Sequence, residues 1–94
     1  MSKPIVYSKK NCVECLRTKV HFQAYGYDFE ERLVNPEAQE TSTDPQEIAD
    51  AKLIKQFKEK GFASFPIVQY GDTLDEAWSG HRENLLKEHY PAKP

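Results

Sequence analysis

Two cysteines three residues apart, Cys12 and Cys15, stand between a short β-branched and aromatic run, Ile5-Val6-Tyr7, and the start of a helical pattern. They are the only cysteines in the 94 residues. A secreted mini-protein stapled by disulfides carries four or more. A bridge between Cys12 and Cys15 closes a loop too short to stabilise a fold much. An apolar core must therefore hold the chain together, and the pair is there for chemistry. Zinc is another use of Cys-x-x-Cys, but it needs four ligands, normally with a second close pair of Cys or His. His21, His81 and His89 are scattered singly, so no metal is expected. Two buried, inert core cysteines are the plain alternative, and the strand–turn–helix setting argues against it.

A chain of this length leaves room for one domain, residues 1–94, with a modest core. The net charge of −2 gives no general attraction to nucleic acid. No apolar run approaches the roughly 20 residues that span a bilayer, and Ile5–Tyr7 is too short for the apolar region of a signal peptide. The expectation is a cytoplasmic, unprocessed monomer that uses no membrane.

The apolar pattern predicts the order β-α-β-α-β-β-α. Ile5-Val6-Tyr7 reads as a buried strand. A helix then begins near Cys12, with Val13, Leu16, Val20 and Ala24 on its apolar face and Gly26 as its stop. Tyr27 to Val34 reads as a second strand, and Asn35 to Thr43 as a loop. Asp44-Pro45-Gln46-Glu47 is a helix start, with a capping Asp, Pro in the first turn and Glu three residues after the cap. Ile48, Ala51, Leu53, Ile54 and Phe57 give that helix its stripe, and Gly61 ends it. Phe65 to Tyr70 and Thr73 to Trp78 read as strands around a Gly71-Asp72 turn. Arg82 to Tyr90 reads as a last helix closed by Pro91. The fold class is α/β, a four-stranded mixed sheet flanked by three helices. The cysteine pair then falls at the carboxyl end of the first strand, where open α/β sheets bind ligands.

That position suits disulfide exchange. A thiolate, not a thiol, attacks a disulfide. The first turn of a helix offers free N–H groups and the positive end of the dipole, so the Cys12 thiol is expected below its ordinary pKa. Lys9 and Lys10 add positive potential. Cys15, one turn on and facing inward, is near enough to attack a mixed disulfide on Cys12 and release the product. Glu14 opposes the thiolate unless its side chain points to solvent. Pro66 within a strand pattern marks an edge or a bend. His81 reads as a surface or packing histidine.

The chain resembles the glutaredoxin family, and within it the NrdH-redoxins. The matching residues are Val6-Tyr7-Ser8-Lys9, Cys12-Val13-Glu14-Cys15, Arg17-Thr18-Lys19, Gly26-Tyr27-Asp28-Phe29-Glu30, Lys60-Gly61-Phe62, Phe65-Pro66-Ile67-Val68, Gly71-Asp72 and Trp78-Ser79-Gly80. The resemblance implies a thioredoxin-type fold, a cis peptide before Pro66, Cys12 as nucleophile and Cys15 as resolving thiol. It implies substrate contacts at Lys9, Val13, Glu14, Phe65, Pro66, Trp78, Ser79 and Gly80. It also implies no bound cofactor. Electrons would come from NADPH through thioredoxin reductase and pass to class Ib ribonucleotide reductase or other protein disulfides.

The chain departs from that branch in places. Glu14 stands where Gln is usual and His81 where Phe is usual. Arg82-Glu83-Asn84 replaces Arg-Pro-Asp, and the Asn35–Thr43 loop and Asp72–Ala77 turn are longer. A glutathione-dependent glutaredoxin is the nearest alternative. Such proteins usually carry Pro-Tyr between the cysteines, where this chain has Val13-Glu14, and Glu14 would repel the carboxylates of glutathione. A redox-switched or metal-binding regulatory module is the alternative of a different class.

Overall fold

The computed structural model describes residues 3–93. Its elements follow the expected order: β1 (Ile5–Ser8), α1 (Val13–Ala24), β2 (Glu30–Leu33), α2 (Pro45–Glu59), β3 (Ile67–Gln69), β4 (Ala77–Ser79) and α3 (Glu83–His89). The four strands form one sheet in the order β2-β1-β3-β4. β1 pairs parallel with β2, and antiparallel with β3, which pairs antiparallel with β4. The sheet is therefore mixed.

Side chains alternate across a strand, and that alternation divides the core. Val6, Val68 and Trp78 lie in one cross-strand row. They pack with Phe22 of α1 and Leu86 of α3. Tyr7 and Ile67 point the other way and pack with Val34 and with Phe57 of α2. Helices α1 and α3 thus cover one face and α2 the other. β2 is an edge strand and all four of its residues are exposed; charged Glu30, Glu31 and Arg32 suit an unpaired edge.

Local chemistry explains the ends of α2. The Asp44 carboxylate accepts the Gln46 N–H at 3.0 Å, and Pro45 opens the helix. The reciprocal half of the expected capping box does not form. Glu47 instead accepts the Gln39 N–H, and the Asp44 N–H goes to Ser42 Oγ, both at 3.0 Å. The preceding loop folds back to take the carboxylate. Gly61 follows the last turn at φ +77°, a left-handed position that a side chain would strain.

Several boundaries differ from the sequence reading. Tyr27 to Phe29 precede β2 rather than belong to it, because Tyr27 is engaged elsewhere. Its N–H donates to Phe22 O, and its hydroxyl donates to Pro91 O. β3 is shorter than expected at both ends, whereas β4 starts later, at Ala77, and runs one residue past its expected end, to Ser79. The larger correction concerns α1. Its buried residues are Cys15, Thr18 and Phe22, whereas Val13, Leu16 and Val20 are 65%, 57% and 49% exposed. Both stripes satisfy a helical period, and they are offset by two residues, or roughly 200°, so they lie on nearly opposite faces of the helix. Turning Phe22 inward buries a whole aromatic ring, which is about 1.5–3 kcal/mol of transfer free energy. Two valines cannot be buried at the same time.

Candidate active site

The site is built at the carboxyl end of β1. The chain leaves Ser8, passes Lys9 and Lys10, and turns at Asn11, whose φ is +56°. Asn tolerates that left-handed conformation better than most residues. The turn delivers Cys12 in an extended conformation as the N-cap of α1. Cys12 Sγ accepts the Cys15 N–H at 3.1 Å, so a sulfur occupies the position a Ser or Asp oxygen takes in an ordinary cap. The Cα atoms of Cys12 and Cys15 are 5.2 Å apart and the sulfurs are bonded. Their environments differ: Cys12 is half-buried, and Cys15 is 1% exposed.

Glu14 lies on the outside of the first turn, with its carboxylate 3.6 Å from Arg17 Nη1 and both side chains at least half-exposed or nearly so. Its charge is thus shared with a guanidinium on the solvent face. Val13, beside it, is exposed.

A second loop faces this turn. The Phe65–Pro66 peptide is cis. Pro66 is buried and Phe65 half-buried, and Lys9 Nζ stands 6.0 Å from the Phe65 ring centroid. The start of β4's exit clamps the loop. The Ser64 N–H donates to Ser79 Oγ at 3.0 Å, the Ser79 hydroxyl donates to Ser64 O at 2.6 Å, and the Gly80 N–H donates to Pro66 O at 2.7 Å. Gly80 takes φ +89° to make that approach, which explains a glycine there.

The structure therefore brings together Cys12, Cys15, Val13 and Glu14 on one turn, and Phe65 and Pro66 with Ser79 and Gly80 in the facing loop. Lys9 links the two through the Phe65 ring. Trp78 is not at the surface with them. It is 6% exposed and stacked on Tyr70 with ring centroids 5.7 Å apart, and it acts as core under the site. One contact went unread in the sequence. Thr18, fully buried on α1, meets His81 Nδ1 at 2.9 Å. A threonine on the inward stripe of a helix was the available signal, since a buried hydroxyl needs a partner.

Among the described residues no group of three or more His, Cys, Asp or Glu side chains could hold a metal ion, and no helix is long and apolar enough to cross a membrane. What the arrangement offers is a vicinal pair of sulfurs, one accessible and capped on a helix N-terminus, the other sealed beneath it.

No protein-family model matches the chain. The glutaredoxin-like protein NrdH of Escherichia coli is 30% identical over 89 residues, covering 93% of this chain and 88% of that protein. The chain belongs to the NrdH glutaredoxin-like proteins. The NrdH of Salmonella typhimurium is 28% identical over 86 residues, covering 92% of this chain and 86% of its own. Among solved structures, the NrdH-redoxin of Escherichia coli superposes with a TM-score of 0.69 at 25% identity, covering 98% of this chain and all of that one. That protein is described as glutaredoxin-like with a thioredoxin-like activity profile. A glutaredoxin from Archaeoglobus fulgidus gives a TM-score of 0.63 at 27% identity, over 94% of this chain and 85% of its own. The fold is thioredoxin-like, and with its Cys12–Cys15 pair this NrdH-family protein is a thiol–disulfide oxidoreductase.

Proposed function

We propose that this protein is a cytoplasmic electron carrier in which Cys12 attacks and Cys15 resolves. The observation that carries the reading is the Cys15 N–H held on Cys12 Sγ at the start of α1. In the reduced protein that donor and the helix dipole favour the thiolate at Cys12. The thiolate attacks a substrate disulfide. A Cys12–substrate disulfide forms, and the first substrate sulfur leaves as a thiolate that takes a proton from water. Cys15 then loses its proton and attacks Cys12 Sγ. The intramolecular disulfide forms, the second substrate sulfur leaves and is protonated, and two electrons have passed to the substrate.

The reductant we infer is thioredoxin reductase, drawing on NADPH, and the acceptor is class Ib ribonucleotide reductase or another protein disulfide. Val13-Glu14 in place of Pro-Tyr supports this. Glu14 puts a carboxylate on the exposed first turn, where it meets any anionic peptide that approaches Cys12. Lys9, Val13, Phe65 and Pro66 are the substrate contacts we assign, on the turn that carries Cys12 and the loop that enters β3, with Ser79 and Gly80 holding that loop in place.

NADPH consumption with a protein disulfide as acceptor tests the assignment, run once with thioredoxin reductase and once with glutathione plus glutathione reductase. Faster turnover with thioredoxin reductase is expected. Faster turnover with glutathione would move the protein to the glutathione-dependent glutaredoxins.

A further inference from the structure

His81 follows Gly80 and leads into α3. Its Nδ1 is 2.9 Å from Thr18 Oγ1, and its Nε2 is 3.6 Å from a Glu83 carboxylate oxygen. The imidazole is 10% exposed and the Glu83 side chain 73%. Thr18 follows Cys15 by three residues on the buried side of α1, so the two side chains are neighbours along that face. The imidazole also lines a groove with Val13 and Leu16, the residues directly after Cys12 and Cys15. Its own backbone continues from Gly80, which holds Pro66 O. His81 therefore joins the helix that carries the two sulfurs to the loop that faces them.

We propose that His81 is a positioning residue whose proton is coupled to the redox state of the Cys12–Cys15 pair: His81 holds its proton more tightly once the disulfide is reduced. The contacts suit both charge states. A neutral ring with its proton on Nε2 accepts the Thr18 hydroxyl at Nδ1 and turns its N–H toward Glu83. A protonated ring donates from Nδ1 to Thr18 Oγ1 and pairs with Glu83 through Nε2. Histidine is also the side chain whose charge ordinarily changes between about pH 5 and 8.

The other titratable groups that line the same groove are Arg17 and His21 on α1, Tyr25 at its C-cap, and Glu83 and Lys87 on α3, with Arg82 next to His81 in the chain. Arg17 is engaged by Glu14. These groups are present in both redox states, and the sulfurs are what change. Reduction breaks the Sγ–Sγ bond with two electrons from a donor dithiol, which itself becomes a disulfide. Cys15 Sγ takes a proton and Cys12 Sγ remains anionic. That new negative charge favours the imidazolium at His81. The coupling is reciprocal, so the imidazolium favours the Cys12 thiolate.

The inference rests on the reading of Cys12 as the thiolate, and one pair of experiments separates the two. The imidazole C2–H resonances of the wild-type protein are titrated from pH 5 to 8 in the oxidised form and after reduction with a water-soluble phosphine. The spectrum of His81→Phe assigns the His81 signal. The His81 midpoint should rise on reduction by about 0.3 pH units or more, a twofold gain in proton affinity. His89, stacked on Tyr70 and Trp78, serves as the control and should not move. Equal His81 midpoints in the two redox states overturn the coupling. In parallel, the reduced protein is alkylated with iodoacetamide and the modified cysteine is mapped. Preferential labelling at Cys12 with an unmoved His81 refutes this inference alone. Preferential labelling at Cys15 refutes the thiolate assignment beneath it.

Discussion

Under α2, the rings of Tyr7, Phe62 and Phe65 gather around Phe57, at 5.3, 6.4 and 6.0 Å between centroids. The buried polar groups on that side all have partners. The Tyr7 hydroxyl donates to Gln69 Oε1, Gln69 Nε2 donates to Gly71 O, and Asp50 accepts from Asn35 N–H and Gln46 Nε2. The opposite face, under α1 and α3, is less closed. Ser8 Oγ and Trp78 Nε1 are buried there without a hydrogen-bond partner, and Thr18 reaches across to a histidine. Unpaired buried polar atoms are uncommon and cost stability. The face with open polar groups is the one beneath the sulfurs. The comparison teaches that one side of this sheet is built for stability and the other accommodates the chemistry.

The harshest way to break that comparison is Phe57→Ala. Truncating a buried Phe costs about 3–5 kcal/mol, so urea unfolding should show a loss of that order. The rate of disulfide reduction per folded molecule should fall far less, and only through Phe65, which packs on Phe57. A comparable fall in that rate would mean that the α2 face also shapes the site.

Asp44→Ala and Ser79→Ala sharpen it. Loss of the Asp44 cap costs about 1 kcal/mol and should leave turnover untouched. Ser79→Ala removes both bonds to Ser64 and costs about 1 kcal/mol for each net hydrogen bond. It should also raise the KM for a disulfide substrate, because the Ser64–Pro66 loop loses its clamp. Equal kinetics for the two variants would show that the clamp is structural only.

A smaller effect appears at alkaline pH. Burial pushes Tyr90 up to about 12 and raises Tyr7 above its usual value of 10. The fold therefore favours their protonated forms. This contribution is fully present below pH 10, the unfolded value, and for Tyr90 is lost as pH rises toward about 12. Part of the tyrosinate absorbance should therefore appear only well above pH 10. Ionisation of all five together near 10 would contradict their burial.

Much of this arrangement was legible in the sequence because it rests on local chemistry. Asp44-Pro45 and Gly61 bound α2 through capping and a left-handed residue, and the Cys12 position follows from the strand–turn–helix order. The burial of α1 was not legible. Two apolar stripes compete on one helix, and only the packing of Phe22 against Val6 and Leu86 decides between them. The Thr18–His81 contact spans 63 residues and exists only because the turn after β4 returns to α1. Glu47 likewise left its expected cap for a backbone N–H that the loop supplied.

The most direct test of the central claim is to trap the reaction halfway. Cys12→Ser and Cys15→Ser are each reduced, mixed with a protein disulfide, quenched with acid and mapped by mass spectrometry. The Cys15→Ser protein should accumulate a mixed disulfide at Cys12, because attack proceeds and resolution cannot. The Cys12→Ser protein should neither reduce the substrate nor hold it. A mixed disulfide through Cys15 in the Cys12→Ser protein, with none through Cys12 in its counterpart, would contradict the account.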